Sequence, residues 1–296
     1  MNTISSSKPK LFSTLGQICK LIPVHLVAKL ARETGVEDKA RTFTPWSHVV
    51  TLLYAQLAHA LSLNDVCDAL SFVTGKLAAI RGAKAPSRNG FSHANRARDP
   101  ELARRLFWAM LEHLQKLAPG FGRRQQRRYG FRFKRLIHLV DSTTLTLVAN
   151  CIDWARHRRR KAAAKCHVRL DWGSLLPRFV VVASAGEGDD GARTPELCAA
   201  VKAGEIVVFD KAYVVFVYLY ALHARGLIWV TRAKEKMRCR VMESRPVSGR
   251  ILRDEIVELT LWKTHHDYPE PLRRVVALVE VDGVDKEMAF LTNHLD

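Results

Sequence analysis

The chain has 296 residues, and its 47 lysines and arginines outnumber 29 aspartates and glutamates, which gives a formal net charge of +18. This length predicts about two domains of roughly 100–200 residues each. The hydrophobic fraction of 48% allows a sizeable core and excludes a disordered basic tail. The longest apolar run, Ala212 to Leu222, is shorter than the roughly 20 residues of a membrane helix. We therefore expect a cytoplasmic protein with no membrane association.

The positive charge is concentrated in one stretch of the chain. Residues 121–172 hold 14 basic and 3 acidic side chains, whereas residues 173–296 hold 17 basic and 18 acidic side chains. A concentrated positive field favours a polyanionic partner, and nucleic acid is the commonest one. An ordinary solvated surface is the alternative. The six cysteines include no Cys-x-x-Cys pair, which argues against a disulfide scaffold or a zinc ribbon.

Residues 1–120 predict a helical domain. Thr44-Pro45 has the pattern of an N-cap followed by a first-turn proline, ahead of apolar residues at helical spacing. Asp99-Pro100 repeats the signal before a second long helix, and two shorter helices are predicted between them, the later one starting near Ser87. This arrangement is compatible with a helix-turn-helix-like reader of DNA. A plain helical bundle with a basic face fits equally well.

The pattern changes after a basic, glycine-punctuated linker at residues 121–134. Over residues 135–235, three strand-like runs precede a short helix that Thr194 caps, a strand, a helix that ends at Gly226 and a further strand. This order is typical of a mixed α/β sheet. From residue 236 to residue 296, alternating segments predict antiparallel β-structure. We expect an α/β fold preceded by an all-α domain.

Two aspartates, Asp141 and Asp210, each follow at least four apolar residues of a predicted buried strand. A carboxylate is costly to bury without a partner, and ligands of parallel sheets bind beyond the carboxyl ends of the strands. Two such strands side by side would bring both carboxylates to one crevice, a natural seat for Mg²⁺ and for phosphodiester chemistry. Alternatively, each aspartate is a turn residue or pairs with one of the arginines.

Several segments occur in the order of motifs of a known family. VDSTTL, WARHRRRKAAAKCHVRLDW, VVFDKAYVVF, WVTRAKEKMRCR, DYPEPLRRVVAL and FLTN together resemble DDE transposases of bacterial insertion sequences, of the insertion-sequence-four type. The earlier segments FTPWSHVVTLLYAQLAHALSL and SHANRARDPELARRLF are similar to the helical N-terminal domain of that family. The resemblance covers nearly all 296 residues. It implies an RNase H-like mixed sheet with a β-rich insertion, preceded by an all-α DNA-binding domain.

The resemblance also implies an activity and its residues. Members bind double-stranded transposon ends and target DNA and catalyse strand cleavage and strand transfer with Mg²⁺ or Mn²⁺. Asp141 matches the first catalytic, metal-binding carboxylate and Asp210 the second. The third, a glutamate on a later helix, is expected shortly after FLTN, so that neither Glu280 nor Glu287 matches it and no residue of this chain does. Homo-oligomerisation stays open.

The missing third carboxylate leads to two functional hypotheses. The first is a C-terminally truncated transposase, with a catalytic core at residues 135–235 and a β-rich insertion at residues 236–296, that is weakly active or inactive. The second is a DNA-binding module, or an inhibitor of transposition, without catalysis. Two smaller departures from the family are Lys211-Ala212, in place of the common Arg-Gly, and Val215, in place of an acidic residue. The first is tolerable if the backbone avoids positive φ.

Basic residues around the predicted site are candidates for contacts with the DNA backbone. The resemblance supports Lys165 and His167 as strand residues that face the substrate. A solvated loop is the alternative for the basic run that precedes them. The predicted DNA-binding residues are Arg123, Arg124, Arg127, Arg128, Arg156, Arg158, Arg159, Arg160, Lys161, Lys165, His167 and Lys211.

Overall fold

The computed structural model describes residues 8–36, 42–122, 135–146, 156–157, 161–184, 190–235 and 237–296. The chain divides into two compact units, Met1–Pro119 and Gly120–Asp296. Within the described ranges, no single helix is long and apolar enough to cross a membrane, and one bent pair, Leu11–Leu21 with Leu26–Glu33, meets the length and composition criteria only jointly.

The first unit is helical in its described part. Thr44 is the N-cap of α3, because its side-chain oxygen accepts a hydrogen bond from the backbone N–H of Ser47 at 3.1 Å. Ser87 caps α6 in the same way through the N–H of Gly90. The helices are α1 (Lys8–Leu21), α2 (Leu26–Glu33), α3 (Pro45–Leu57), α4 (Leu63–Ser71), α5 (Thr74–Ala78), α6 (Arg88–Ala97) and α7 (Glu101–Leu117).

The connection between the shorter helices favours a bundle over a helix-turn-helix. The two helices predicted between the long ones are α4 and α6, but α5 lies between them and residues 79–87 separate α5 from α6. A helix-turn-helix joins its two helices by a turn of about three to four residues, and this segment has none. The helix-turn-helix interpretation is therefore wrong for α4 and α6.

A single apolar cluster holds α1, α3, α4, α5 and α6 together. Phe91 of α6 is fully buried in this cluster with Leu15, Val50, Leu70 and Leu77. A hydrogen-bond contact also fixes the orientation of α6 relative to α3, since the Nε2 atom of His48 on α3 lies 2.7 Å from the Oδ1 atom of Asn95 on α6. Burial lowers the pKa of His48, so that the imidazole is neutral at neutral pH.

The second unit is built on a mixed sheet. The strands are β1 (Ile137–Thr146), β2 (Arg156–His157), β3 (Lys161–Asp171), β4 (Pro177–Ser184), β5 (Ile206–Phe209), β6 (Ile228–Arg232), β7 (Cys239–Ser244), β8 (Ile251–Leu259), β9 (Leu272–Val281) and β10 (Val284–Thr292). The helices between them are α8 (Thr194–Leu197), α9 (Phe216–Ala224) and α10 (Trp262–Asp267).

Strand order and direction in this sheet agree with the α/β expectation. The first part of the sheet runs β4-β3-β1-β5-β6, with β3 antiparallel to both β1 and β4, and with β1, β5 and β6 mutually parallel. Parallel strands need a crossover connection, which α9 supplies between β5 and β6. The predicted α/β class, a mixed sheet after an all-α region, is confirmed.

The β-rich insertion extends the same sheet. Strands β7, β8, β9 and β10 form an antiparallel series, and β10 pairs with β6 through Leu291 opposite Thr231. One local expectation is wrong. The helix at Thr194 covers only one turn and begins after Arg193, so that Thr194 is its first residue and not its cap.

The packing of α6 gives a testable stability difference. Phe91→Ala should destabilise the helical unit by about 3–5 kcal/mol, because it leaves a cavity in a close-packed core. Hydrogen exchange of peptides from residues 45–97, read by mass spectrometry, should show the loss of protection in that unit alone. Phe72→Ala is the matched control, since that ring is 86% exposed; equal exchange in the two variants would contradict this packing.

Candidate active site

The parallel pairing of β1 with β5 brings Asp141 and Asp210 together. The last registered pair of these strands is Val140 opposite Phe209. The next residues are Asp141, which lies within β1, and Asp210, which directly follows β5. Neighbouring strands lie about 4.8 Å apart. Val140 and Phe209 are buried, whereas Asp141 and Asp210 are exposed. The strand register therefore places the two aspartates next to each other where the pairing of β1 with β5 ends.

Neither carboxylate has a cationic partner among the described residues. Asp141 accepts a hydrogen bond from the backbone N–H of Ser142, 2.7 Å from its Oδ1 atom, and the carboxylate of Asp210 has no described hydrogen bond. Three other carboxylates of this unit each pair with an arginine: Asp171 with Arg178, Asp254 with Arg273, and Glu255 with Arg274. Pairing with an arginine thus fails to explain Asp141 and Asp210 in the described part of the chain.

The donor set fits a hard divalent cation. Two neighbouring carboxylates repel each other unless a positive charge lies between them, and Mg²⁺ takes one or two carboxylates together with water and phosphate oxygens. In the ranges that the structure describes, no three His, Cys, Asp or Glu side chains converge as metal ligands. The described part of the site thus offers two carboxylates.

A third carboxylate, that of Asp190, lies close to the site, but both of its oxygens already contact other side chains of the protein. It begins a 3-10 turn, Asp190–Arg193, and is 8% exposed. Its Oδ1 atom lies 2.5 Å from the Nζ atom of Lys165, and its Oδ2 atom lies 3.3 Å from the Oγ atom of Ser142. Lys165, predicted to contact DNA, thus directs its ammonium group to a carboxylate of the protein.

His167 is buried beneath the site. Its ring is 2% exposed, and its Nδ1 atom lies 2.9 Å from the hydroxyl of Tyr213. Burial lowers the pKa of the imidazole, so the ring is neutral at neutral pH. The prediction that His167 faces the substrate is wrong, because β3 turns this side chain into the interior, where DNA has no access.

Tyr213 is a buried residue whose hydroxyl is influenced by both aspartates. Burial is the main cause that raises the pKa of its hydroxyl; a hydrogen bond with Ser142 opposes the shift, and the negative charges of Asp190, Asp141 and Asp210 add to it. The phenol therefore stays protonated over the physiological range. A neutral phenol can donate or accept a hydrogen bond, and the hydroxyl of Tyr213 contacts the Nδ1 atom of His167.

The backbone after Asp210 explains how the chain tolerates Lys211-Ala212. These residues and Tyr213 form a 3-10 turn, and neither Lys211 nor Ala212 is among the residues with positive φ. Glycine is needed only where φ is positive, so the departure from the common Arg-Gly is accommodated. Lys211 is exposed, which leaves its ammonium group accessible next to Asp210.

Most of the other predicted DNA contacts lie outside the described residues. These are Arg123, Arg124, Arg127, Arg128, Arg158, Arg159 and Arg160. Arg156 lies on β2 and Lys161 begins β3, but the described part of the chain does not include their side chains. Of the glutamates not assigned to the site, Glu287 pairs with Arg253 at 3.0 Å on the insertion and Glu280 lies on β9.

No pattern in the sequence indicates that Asp190 belongs to the site. It stands in the stretch GEGDDGARTPE, where glycines and acidic residues together are typical of an exposed turn. Its partners are 25 and 48 residues away in sequence. Only the folded chain reveals its position behind Asp141.

Comparisons with known proteins identify the family of this chain. Residues 132–282 match the model of the family described as Transposase DDE domain, and residues 12–82, which include α2 to α5, match a domain of unknown function (DUF4372). A Sinorhizobium fredii (strain NBRC 101917 / NGR234) protein named as a transposase, y4zB, is 30% identical over 176 residues, which is 57% of this chain and 46% of that protein. A Geobacillus stearothermophilus protein named as the transposase for insertion sequence element IS5377 is 26% identical over 218 residues, which is 74% of this chain and 52% of that protein.

Solved structures give weaker similarities. The piggyBac transposase synaptic complex with hairpin DNA matches with a TM-score of 0.42 and 12% identity, over 94% of this chain and 60% of that one. Endonuclease V from Streptomyces avermitilis matches with a TM-score of 0.27 and 12% identity, over 53% of this chain and 64% of that one. The chain spans about half the length of the curated relatives it matches. Since the Transposase DDE domain model covers just over half of its residues, the chain belongs to that family.

Proposed function

We propose that this chain binds double-stranded transposon-end DNA and takes part in metal-dependent DNA strand cleavage and strand transfer. The observation that carries the proposal is the pair of exposed carboxylates, Asp141 within β1 and Asp210 directly after β5, which lie next to each other in the strand register without a described cationic partner. A divalent cation, Mg²⁺ or Mn²⁺, would balance them.

The chemistry follows from where these groups lie. When bound, a divalent cation supplies positive charge that stabilises the attacking and leaving oxygens of an in-line phosphodiester displacement. Asp141 and Asp210 would hold it, and their exposure leaves space for a DNA backbone. Lys211, exposed beside Asp210, would contact a phosphate without reading sequence. Water would attack the phosphorus at the transposon end, the bond to the 3′ oxygen would break, and that oxygen would take up a proton as the water loses one. The freed 3′-hydroxyl would then attack a target phosphate, lose its proton and displace a 3′ oxygen of the target strand, which takes up a proton.

The 296-residue polypeptide by itself should bind DNA and cleave it weakly or not at all. Its described residues contribute two carboxylates, whereas the resemblance to DDE transposases implies three. The alternative function, a DNA-binding module or an inhibitor of transposition, requires the same DNA contacts and no cleavage. Metal binding at Asp141 and Asp210 separates the two, because a module without catalysis has no need of it.

Helix α6 is the proposed DNA-contacting surface of the helical unit. Asn89, Ser92, His93 and Arg96 follow the i, i+3, i+4, i+7 spacing of one helix face, and all four are exposed. None has a hydrogen-bond or ion-pair partner in the described part of the chain. On α7, in contrast, Arg104 pairs with Glu101 at 2.6 Å.

The side chains of α6 suit a groove of duplex DNA. Asparagine and arginine can each make two hydrogen bonds to a base edge, and serine and histidine can donate or accept. Arg96 also brings positive charge toward the phosphates. The opposite face of α6 is anchored by Phe91 and Ala94, which leaves the polar face free for a partner.

Removal of either site carboxylate should weaken metal binding. We expect Asp141→Asn and Asp210→Asn each to lower the affinity for Mn²⁺ at least about tenfold, which is about 1.4 kcal/mol, because each removes one of two charged ligands. Titration calorimetry and electron paramagnetic resonance of the 296-residue protein would measure it. Glu270→Gln is the control, since it removes an exposed carboxylate between α10 and β9. Unchanged Mn²⁺ affinity in both aspartate variants would contradict the proposed site.

Arg96→Ala should weaken binding to a mixed-sequence DNA duplex and reduce the salt dependence of the affinity by about one unit of slope, because one phosphate contact is lost. Fluorescence anisotropy at several salt concentrations would measure both effects. Arg104→Ala also removes one arginine of the helical unit, but one already paired with Glu101, so it should leave the slope unchanged. The same slope for Arg96→Ala and the unaltered chain would exclude this face as the DNA contact.

A further inference from the structure

We infer that Asp190 is a positioning residue of the proposed metal site, which acts through Ser142 and Lys165 to hold the middle of β1, where Asp141 lies. The inference rests on the proposed role of Asp141 and Asp210. It assigns a function to a carboxylate that the sequence pattern gives no reason to select.

The first observation is that both carboxylate oxygens of Asp190 have a partner within the protein. Its carboxylate is almost buried and receives the ammonium group of Lys165 from β3 at one oxygen and the hydroxyl of Ser142 from β1 at the other. A buried carboxylate is stable only when it is paired and hydrogen-bonded. Asp190 therefore ties β1 to β3 at the level of the site, independently of the backbone ladder between the two strands.

The second observation is the connection to Asp141. Ser142 donates its backbone N–H to the Oδ1 atom of Asp141 at 2.7 Å, and its hydroxyl lies 3.3 Å from the Oδ2 atom of Asp190. One residue thus contacts both carboxylates. When Asp190 holds the Ser142 side chain, it also limits the movement of the N–H that orients Asp141.

The third observation is the connection to Asp210. The turn that begins at Asp190 packs against the segment that follows Asp210, and an added Cβ at Gly191 would lie 2.3 Å from the Cγ2 atom of Val215. Such a distance is far inside van der Waals contact, so the two segments meet closely only because residue 191 is glycine. Tyr213 of the same segment is fixed to His167 on β3. Asp190 therefore lies where both aspartate-bearing segments are held.

A role as a third metal ligand fits the geometry less well. Both oxygens of Asp190 are already engaged, one of them by a full positive charge. In the described ranges, no three acidic, histidine or cysteine side chains converge on one point. Lys165 also cancels the charge of Asp190, so that the pair adds no net repulsion toward a DNA phosphate.

The two roles predict opposite effects of one substitution. Lys165→Met removes the cation and frees the Asp190 carboxylate. If Asp190 is a positioning residue, Mn²⁺ affinity should fall, because Ser142 and Asp141 lose their support. If Asp190 is instead a third metal ligand that Lys165 blocks, Mn²⁺ affinity should rise, because its carboxylate becomes available to the metal. A rise would overturn the inference.

Asp190→Asn should lower Mn²⁺ affinity about 10- to 100-fold, the range seen when a group that orients a metal ligand is removed. Ser142→Ala should act in the same direction and keeps the test valid if Asp190→Asn fails to fold. The measurement is Mn²⁺ titration by electron paramagnetic resonance on the full chain, without DNA, with circular dichroism to confirm folding. Unchanged Mn²⁺ affinity in Ser142→Ala would refute the inference.

Asp254→Asn is the matched control. Asp254 is as buried as Asp190, and its carboxylate pairs with Arg273 at 2.6 Å on the insertion. Its loss should reduce stability but leave Mn²⁺ affinity unchanged. If Asp190→Asn and Asp254→Asn lower the affinity equally, Asp190 is structural only. If the unaltered chain binds no Mn²⁺, or binds it equally well without Asp141, the proposed function itself fails.

Discussion

The parallel pairing of β1 with β5 is the constraint on which the site depends. Val140 and Phe209 are buried, and the residue after each is an exposed aspartate, Asp141 within β1 and Asp210 directly after β5. Like charges on neighbouring strands repel each other, and the repulsion grows where water is partly excluded. Under the proposed function, a small cation bound by both carboxylates would remove this repulsion and gain binding free energy from it.

The polar groups beneath the carboxylates give this arrangement its rigidity. His167 contacts Tyr213, and Asp190 contacts Lys165 and Ser142. A buried network with each member engaged fixes one arrangement, whereas a partly satisfied network is costly. The imidazole and the phenol are both held neutral by burial, and Lys165 and Asp190 form an ion pair whose charges cancel each other.

The parts of the fold that depend on near neighbours in sequence could be predicted. Thr44 caps α3 through a residue three positions on, and the aspartates are recognisable because an apolar run of the same strand precedes each. The parts that depend on distant contacts could not. A period of two places His167 on one face of β3 but gives no indication which face is buried. Asp190 acquires its role only when the turn that holds it meets β1 and β3.

Charge pairing distinguishes the insertion from the two surfaces that we propose bind a partner. On the insertion, the buried charges of Asp254 and Arg273 pair with each other and leave little net field. Asp141 and Asp210, and Arg96 on the polar face of α6, have no ion-pair partner among the described residues. An unpaired charge near other charges of its own sign is unfavourable in the free protein, and this cost is recovered only when a partner of opposite sign binds. Under the proposed function, a divalent cation would supply that partner for Asp141 and Asp210, and a DNA phosphate would supply it for Arg96.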